Sequence, residues 1–345
     1  MILYVKRKFR TGSLRRDLKY NFNANWFFNG QDGFFLASLK STFPVKAKPF
    51  QYLLKKEEIR SRYDWMVVNY KISESGKGLT EKQASIIKKI KGCRKALFIG
   101  VASARAMPGD KILDIFDLVF KREVYKDLDR YKLSERNKNK IRGTMLACPL
   151  VPTSILNLKK LDVTKYGYRE YPNDFKTDVF FSGENTSQTR YDVVNSLINS
   201  RISFEGGLQD SKKGIVENKE VLYQRLSYKK YLQKARKSRI NLALDGRGAF
   251  TFRHLELWCL CCFMISSPSI REINIPMPMV EGEHYISYSN LADLEEKICY
   301  FLKRPEKRKA VAEAGRKIFE KYYNVKKHGQ YIKKCMQKAD SEPKL

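Results

Sequence analysis

The segment at residues 241–256 places two glycines and several charged side chains directly after a short apolar run. The apolar run at 240–244 predicts a buried strand, and a helix is expected to begin near Thr251. Gly246 and Gly248 predict a turn between them. Where a strand, a glycine turn and a helix N-terminus follow one another, unpaired backbone N–H groups and the helix dipole point at one place. The segment therefore predicts an anion-binding corner.

Charged side chains around this turn indicate what the corner can bind. Arg247 and Arg253 add positive charge to it. From Leu255 to Ile265 every residue except Glu256 is apolar, so we expect a core-facing helix that carries this carboxylate inward. A buried carboxylate is costly without a partner. Two partners are open: Arg253, three residues earlier on the same face of the helix, and the hydroxyl pair of a ligand.

We predict that this corner contacts a phosphate-bearing ligand. A glycine turn alone is a weak signal, so the prediction depends on the charged side chains beside it. His254 can donate to a phosphate oxygen, and a satisfied core or surface histidine is an equal alternative. The predicted contacts in this segment are Asp245, Gly246, Arg247, Gly248, Arg253, His254 and Glu256.

The charge balance of the chain also implies an anionic partner. Its 345 residues include 68 Lys and Arg against 37 Asp and Glu, a net charge of +31. Nucleic acid, an anionic membrane surface, phosphorylated ligands and an acidic polymer all fit that charge. The length favours two domains, and the 43% of hydrophobic residues is ample for packed cores, which excludes wholesale disorder.

Cysteine usage and hydropathy favour a cytoplasmic protein. The seven cysteines are odd in number and have no paired CxxC spacing, which argues against a disulfide framework or a zinc site. Cys259, Cys261 and Cys262 are expected inside the apolar helix as small hydrophobic residues. The N-terminus lacks the apolar core of a signal peptide, and no apolar stretch reaches the ~20 residues that span a bilayer. Membrane contact is therefore expected to be peripheral.

Apolar runs alternate with segments of helical period along most of the chain, which predicts two doubly wound α/β domains with parallel sheets. The boundary is expected in the polar residues 159–176. The predicted units are an N-terminal Rossmann-like domain at 1–170, a second domain at 171–325, and a closing helix at 326–345. Ligands would bind in a cleft at the carboxyl ends of the strands. The predicted strands are 2–5, 65–69, 96–101, 117–120, 179–182, 240–244 and 263–266, and the predicted helices are 80–91, 190–199, 228–238, 291–303 and 306–322.

The second half resembles the carboxyl-terminal domain of GT-B glycosyltransferases of the group 1-like branch. A strand that ends in Ser-Gly at Gly183 is followed by a helix led by Arg190. A tyrosine helix at 228–238, the strand and glycine turn described above, and the Arg-x-x-Glu pair of Arg253 and Glu256 then follow in the family's order. A segment at 281–288 precedes an Asp-Leu pair at 293–294, as in the ending of that family. The resemblance covers roughly 178–323.

The resemblance implies a GT-B fold, in which two Rossmann-like domains face each other across a cleft. It also implies that the domain at 1–170 binds the acceptor, that the domain at 171–325 holds a nucleotide-sugar donor, and that the closing helix at 326–345 crosses back to the first domain. Glu256 matches the glutamate that binds the ribose hydroxyls of the donor in this family, and the resemblance implies the same role here. Gly246, Arg247, Gly248 and Arg253 would meet the diphosphate, and Gly183 and Arg190 join this predicted donor site. The sequence departs from the family at Gly248, where many relatives have a second glutamate, and at 261–262, where two cysteines replace a usual glycine.

The implied function is metal-independent transfer of a hexosyl or related group from a nucleoside-diphosphate sugar to a glycan or lipid-linked acceptor, in polysaccharide or glycoconjugate synthesis. No cofactor is expected. The best general base is Asp32, which lies between two glycines and flanking aromatic residues in the segment 26–35; an ordinary turn is the alternative. Asp127 and Asp129 have Asp-x-Asp metal spacing in a charged, helix-like run, and we do not assign them a metal.

Two rival functions are less consistent with the sequence. A basic nucleic-acid-binding protein without catalysis would explain the charge, but the chain has no recognition helix, paired stacking aromatics or zinc module that we can identify. A Rossmann-type dinucleotide enzyme would carry GxGxxG near its start, which this chain lacks.

Overall fold

A computed structural model of the chain contains two parallel sheets with helices between successive strands. It describes residues 1–6, 30–54, 62–72, 78–148, 150, 170–209 and 218–341. Most of the predicted boundary at 159–176 lies outside the described residues. The chain divides into two compact units: unit 1 is Met1–Leu161, Asn274–Pro276 and Tyr323–Leu345, and unit 2 is Asp162–Ile273 and Met277–Tyr322.

The large sheet of unit 1 is entirely parallel. Its strands are β1 (Ile2–Lys6), β2 (Val45–Pro49), β3 (Trp65–Asn69), β4 (Arg94–Ile99), β5 (Leu118–Lys121) and β7 (Ile141–Gly143), with the short β6 (Val124–Tyr125) between the last two. The helices are α1 (Gln31–Lys40), α2 (Glu81–Lys89), α3 (Asp110–Leu113) and α4 (Glu135–Lys138), with 3-10 helices at Phe50–Leu54 and Leu128–Tyr131. The strand order is β2-β1-β3-β4-β5-β7.

The sheet of unit 2 is also parallel. Its strands are β8 (Thr177–Glu184), β9 (Phe204–Gln209), β10 (Ser238–Ala243), β11 (Met264–Ser266) and β13 (Ile286–Ser287). The short β12 (Ile273–Asn274) pairs with β6 in a separate two-stranded sheet. The helices are α5 (Gln188–Ile198), α6 (Tyr228–Arg236), α7 (Phe252–Cys259), α8 (Leu291–Leu302) and α9 (Pro305–Tyr322), with 3-10 helices at Lys219–Val221 and Pro268–Glu272. The strand order is β13-β11-β10-β8-β9.

In both sheets the order in which the chain adds strands reverses at one point. In unit 1 the chain passes from β1 to the edge strand β2 and returns to β3 on the other side of β1. In unit 2 it passes from β8 to the edge strand β9 and returns to β10. A crevice forms at the carboxyl ends of the two strands that flank such a switch point, and ligands of open α/β sheets bind there. The switch points are therefore β1/β3 and β8/β10.

The strands that lie inside each sheet are apolar on both faces, which is why the sequence predicted them. In β1, Leu3 and Val5 belong to one core, whereas Ile2 and Tyr4 belong to the core on the opposite face. Residues of α1 and of the last helix, α10 (Val325–Ser341), complete that second core. All seven predicted strands and all five predicted helices are confirmed, with ends that differ by a few residues.

The apolar helix ends earlier than we expected, so the placement of Cys261 and Cys262 inside it was wrong. The helix α7 ends at Cys259, and Cys261 takes a left-handed φ of +53°. Its N–H donates to Trp258 O at 3.1 Å, and Cys262 N–H donates to Leu257 O at 2.9 Å, the two bonds of a Schellman ending. Cys261 and Cys262 therefore lie in the turn before β11. Cys261 has the backbone conformation that favours glycine, the residue the family pattern has in this stretch.

Within the described residues, no helix combines the length and the low polarity that a bilayer span requires.

Candidate functional site

The predicted anion corner lies at the switch point of unit 2. Ser182, Gly183 and Glu184 end β8, while Leu244 and Asp245 follow β10 directly. These two strands are neighbours, with Val179 opposite Ile240 in the register. Residues that sequence analysis assigned from separate motifs are therefore brought to one edge of one sheet.

Arg190 joins the two strand ends. Its Nε donates to Asp245 O at 2.7 Å, its Nη1 to Glu184 O at 2.8 Å, and its Nη2 to Leu244 O at 3.1 Å. The side chain is buried, and desolvation together with the charge of Arg253 lowers its pKa to about 10. Arg190 thus holds the corner together by backbone contacts and still adds a positive charge to it.

Arg253 reaches the same place from the first turn of α7. Its Nε donates to Tyr231 OH at 3.2 Å, and its Nη2 donates to Ser182 O. Its guanidinium lies 4.6 Å from the centre of the Phe181 ring, and that of Arg190 lies 5.6 Å from it. Two like charges therefore share one aromatic face, an arrangement that an anion would stabilise.

Two glycines leave the space that these guanidinium groups use. A Cβ on Gly183 would lie 3.2 Å from Arg190 Nη1 and 3.4 Å from Arg253 Nη2, and a Cβ on Gly246 would lie 2.8 Å from Arg190 Nη2. Among the ion pairs of the described residues, none includes either arginine. The corner therefore contains two guanidinium groups that backbone and aromatic contacts hold in place.

Glu256 is buried beside this corner, as predicted, but its partner is a tyrosine. The Tyr228 hydroxyl donates to Glu256 Oε1 at 2.8 Å. Burial raises the pKa of Glu256, and the Tyr228 hydrogen bond, the charge of Arg253 and a hydrogen bond with Tyr231 oppose that rise. No ion pair of the described residues joins Arg253 to Glu256, so the helix-face partner we considered is not its direct contact.

The glycine turn itself is only partly open to a ligand. Arg247 is exposed at its tip. The Gly246 N–H donates to Gly248 O at 3.0 Å, so this amide is already used. The Asp245 carboxylate accepts from Ser267 Oγ at 3.1 Å and from Ser269 Oγ at 3.3 Å. Asp245 therefore orients the turn, and Arg247 is the side chain of the turn that can reach a ligand in solvent.

His254 is a core residue and not the ligand contact that we predicted. Its side chain is completely buried, its Nδ1 accepts from Thr251 N–H at 3.1 Å, and its Nε2 lies 2.8 Å from Ser266 Oγ. Desolvation lowers its pKa to about 3. Both ring nitrogens have protein partners, so the ring has no face to offer a phosphate.

Asp32 lies in the first turn of α1, the helix that follows β1, at the switch-point edge of unit 1. Its Oδ1 is 3.1 Å from the position of a Cβ on Gly100, which follows β4. The neighbouring Phe34 and Phe35 are fully buried, so their rings are not available to stack against a sugar, and residues 26–28 of the same segment lie outside the described residues.

Asp127 and Asp129 both have protein partners in the structure. Asp127 Oδ1 accepts from Asp129 N–H at 3.0 Å, which caps a 3-10 turn rather than a helix-like run, and Asp129 pairs with Lys138. No cluster of three His, Cys, Asp or Glu with metal-binding geometry occurs in the described part of the chain.

Sequence analysis missed the tyrosines of α6 as site residues. Tyr228 and Tyr231 are three residues apart, their rings stack at 6.1 Å, and their hydroxyls meet Glu256 and Arg253. The signal was present, because a tyrosine helix was part of the family resemblance, but helical spacing alone does not show which face turns toward α7.

Comparisons with known proteins agree with this arrangement. Residues 206–334 match a family model described as glycosyl transferase-like. A glycosyltransferase from Rickettsia africae ESF-5 is 13% identical, with a TM-score of 0.56 over 99% of each chain. Anabaena Alr3699/HepE in complex with UDP and glucose is 10% identical, with a TM-score of 0.53 over 98% of this chain and 99% of that one.

A mutant of S. aureus TarM, in complex with fondaparinux, alpha-GlcNAc-glycerol and UDP, is 11% identical, with a TM-score of 0.51 over 84% of this chain and 58% of that one. The sequence has no significant match among curated proteins. The GT-B fold and the resemblance to group 1-like glycosyltransferases are thereby confirmed.

Proposed function

We propose that this protein is a glycosyltransferase that moves a sugar from a nucleoside-diphosphate sugar to a glycan or lipid-linked acceptor. The observation that carries the proposal is the pair of guanidinium groups of Arg190 and Arg253, which converge beside Gly183 at the switch point with a buried carboxylate next to them. This arrangement offers positive charge for a diphosphate and an acceptor for ribose hydroxyls.

The proposed chemistry follows from where charge develops. The bond between the anomeric carbon and the diphosphate oxygen breaks, a bond from that carbon to the acceptor oxygen forms, and the acceptor hydroxyl loses its proton. Fixed positive groups aimed at the leaving diphosphate stabilise the developing charge without reorganisation. Arg190 and Arg253 supply that charge, and Arg247 would add to it from the turn. If the transfer inverts the anomeric configuration, Asp32 is our candidate for the base that takes the proton.

Two neighbours support the donor class. The HepE structures contain UDP, glucose or UDP-glucose, and the TarM mutant contains UDP together with fondaparinux and alpha-GlcNAc-glycerol. We extend this to a hexosyl donor for the present chain.

Metal independence is part of the proposal, because the two arginines can neutralise a diphosphate themselves. Transfer should persist in excess EDTA, and full loss that manganese or magnesium restores would contradict it.

We also propose peripheral association with anionic membranes in the cytoplasm. Near an anionic membrane surface each Lys or Arg contributes about 1 kcal/mol of attraction, and the chain has a net charge of +31. We do not expect nucleic-acid binding. Tight binding to nucleic acid in a gel shift at physiological ionic strength would favour the alternative function of a nucleic-acid-binding protein.

The test of the function is a thermal-shift and calorimetric screen with nucleoside mono- and diphosphates. Replacement of Glu256 by glutamine keeps its size and removes an acceptor for the ribose. We expect binding to fall severalfold in Glu256→Gln, and not in a matched Glu295→Gln variant on α8. Failure of every nucleotide to bind the native protein would reject the proposed function.

A further inference from the structure

Unit 1 contains a large basic recess that the proposed donor site does not use. It has a volume of about 1210 Å³ and is lined by residues at the amino-terminal ends of β4, β5 and β7 and by parts of α2, α4 and α10. Parallel α/β sheets bind their substrates at the carboxyl ends of the strands. The recess is at the opposite edge, so it is a separate feature of the same sheet.

Basic side chains outnumber acidic ones in this lining by nine to two. Three of the nine have side-chain partners inside the unit, and Arg142 donates to the backbone carbonyls of Asn139 and Ile141. Arg94 Nε lies 3.2 Å from an Asp340 oxygen, Lys138 pairs with two carboxylates, and Lys140 Nζ donates to Asn137 Oδ1 at 2.7 Å. These contacts hold the walls of the recess and do not account for its charge.

The two acidic residues are occupied by internal hydrogen bonds. Asp114 accepts from Asn137 Nδ2 at 2.9 Å, and Asp117 accepts from the Lys95 backbone N–H at 2.7 Å. The other six basic residues form no ion pair within the described residues. They are Lys88, Lys91, Lys95, Arg136, Arg142 and Lys338.

Burial lowers the pKa of Lys140 and the charge of Arg136 lowers it further, while the carboxylates of Asp114, Asp117 and Asp110 oppose that shift. Part of the positive charge complements helix ends, because Lys88, Arg136 and Lys338 lie in last turns, where the dipole contributes about half a negative charge. Lys91, Lys95 and Arg142 lie outside the helices, so the recess keeps a surplus that a bound anion would neutralise.

The lining also indicates what kind of anion fits. None of the large apolar side chains that are exposed in the described residues lines the recess, whereas interfacial membrane segments insert such side chains. Phe116, the aromatic residue of the lining, is 2% exposed, so bases of a single strand have no ring on which to stack. A concave, basic and non-aromatic surface fits an anion that is recognised by its charges alone.

We propose that this recess is a binding site for a polyanion made of linked phosphate groups. Its volume exceeds that of a typical small-molecule pocket, about 300 to 1,000 Å³, which suits an extended chain. The binding would weaken steeply with salt, because it releases counterions and is screened by added ions. The inference depends on unit 1 alone and not on the proposed transfer reaction.

The test uses sodium tripolyphosphate as the probe, in calorimetry with the full chain at low salt. The recess variant replaces Lys88, Lys91 and Lys338 by glutamine, all exposed, so the fold is spared. The control variant replaces Lys82, Lys126 and Lys334, which are equally exposed and do not line the recess. Both variants lose the same net charge.

We expect the recess variant to bind tripolyphosphate about tenfold more weakly, since each exposed charge contact contributes a factor of about two. The control variant should stay close to the native affinity. Equal losses in the two variants, or no loss in either, would overturn the site. Tighter binding of oligothymidylate or of phosphatidylglycerol vesicles through the same three lysines would overturn the choice of a phosphate chain.

Discussion

The Tyr228 hydroxyl donates a hydrogen bond to the buried Glu256 carboxylate at an O···O distance of 2.8 Å. Tyr228 is itself 42% exposed, so its ring can move into solvent without disrupting a core. In the proposed donor complex the ribose hydroxyls need the acceptor that this tyrosine occupies. The two hydroxyl donors therefore compete for one carboxylate.

Removal of that competitor should strengthen nucleotide binding. In Tyr228→Phe we expect the affinity for the best-binding nucleoside diphosphate to rise about fivefold, or about 1 kcal/mol, which is less than the roughly 1.5 to 3 kcal/mol of a complete hydrogen bond to a charged group. Calorimetry measures it, and the matching 2′,3′-dideoxynucleotide should show no change. Weaker binding in Tyr228→Phe would mean that the tyrosine orients Glu256 for the ligand.

Arg247 and Arg190 both lie beside Gly246, in sequence and in space respectively. We expect Arg247 to contribute to ligand binding and Arg190 to contribute to stability. Arg247→Gln should weaken diphosphate binding about threefold, a typical exposed charge contact, and leave the melting temperature unchanged. Arg190→Gln should lower the melting temperature by several degrees, because it removes the hydrogen bonds to the carbonyls of Glu184, Leu244 and Asp245. Differential scanning calorimetry and nucleotide titration on both variants check this. An unaltered melting temperature in Arg190→Gln would contradict its structural role.

Asp32→Asn tests the proposed general base. If Asp32 removes the acceptor proton, kcat should fall by about 10² to 10⁴, the usual contribution of general base catalysis, while nucleotide affinity stays the same. A matched Asp64→Asn change at an exposed position of unit 1 should leave kcat intact. A variant that keeps most of its turnover would remove Asp32 from the mechanism.

Two buried histidines make stability depend on pH. Burial lowers the pKa of both His254 and His328 to about 3. The unfolded chain protonates them near pH 6.5, so it binds more protons than the folded protein between about pH 6.5 and 3. The unfolding free energy should therefore fall as pH drops through this window, by up to about 1.4 kcal/mol per pH unit and histidine. Urea unfolding at several pH values measures this. In His328→Gln the unfolding free energy should change less steeply with pH than in the native protein, by the contribution of one bound proton.

Gly315 on α9 lets that helix approach α7. A Cβ there would lie 2.4 Å from Trp258 Cδ1, and the Trp258 side chain is fully buried and donates to His284 O at 2.8 Å. Gly315→Ala should destabilise the protein by about 1 to 3 kcal/mol through overpacking. Gly109→Ala, whose Cβ meets nothing within 4 Å, is the control. Similar unfolding free energies for the two variants would show that α9 shifts to make room.

Local sequence patterns were enough for most of the elements and for one corner of the site. Apolar runs between helical segments predicted the inner strands of both sheets, because these strands are buried on both faces. The edge strands were missed: β2 alternates lysine with apolar residues and ends in proline, and β9 contains Gly206 and Gly207 at positive φ. Neither edge strand shows the continuous apolar signal of a buried one.

By itself, the sequence determined that strand, glycine turn and helix would bring Gly246, Arg253 and Glu256 close together, since these residues are near neighbours in the chain. Only the tertiary structure decided what each side chain does. Arg190 meets carbonyls 54 and 55 residues away, Glu256 meets a tyrosine 28 residues away, and His254 turns toward Ser266. Periodicity encodes which face of an element is buried, but the partner of a buried polar group depends on which other elements pack against that face.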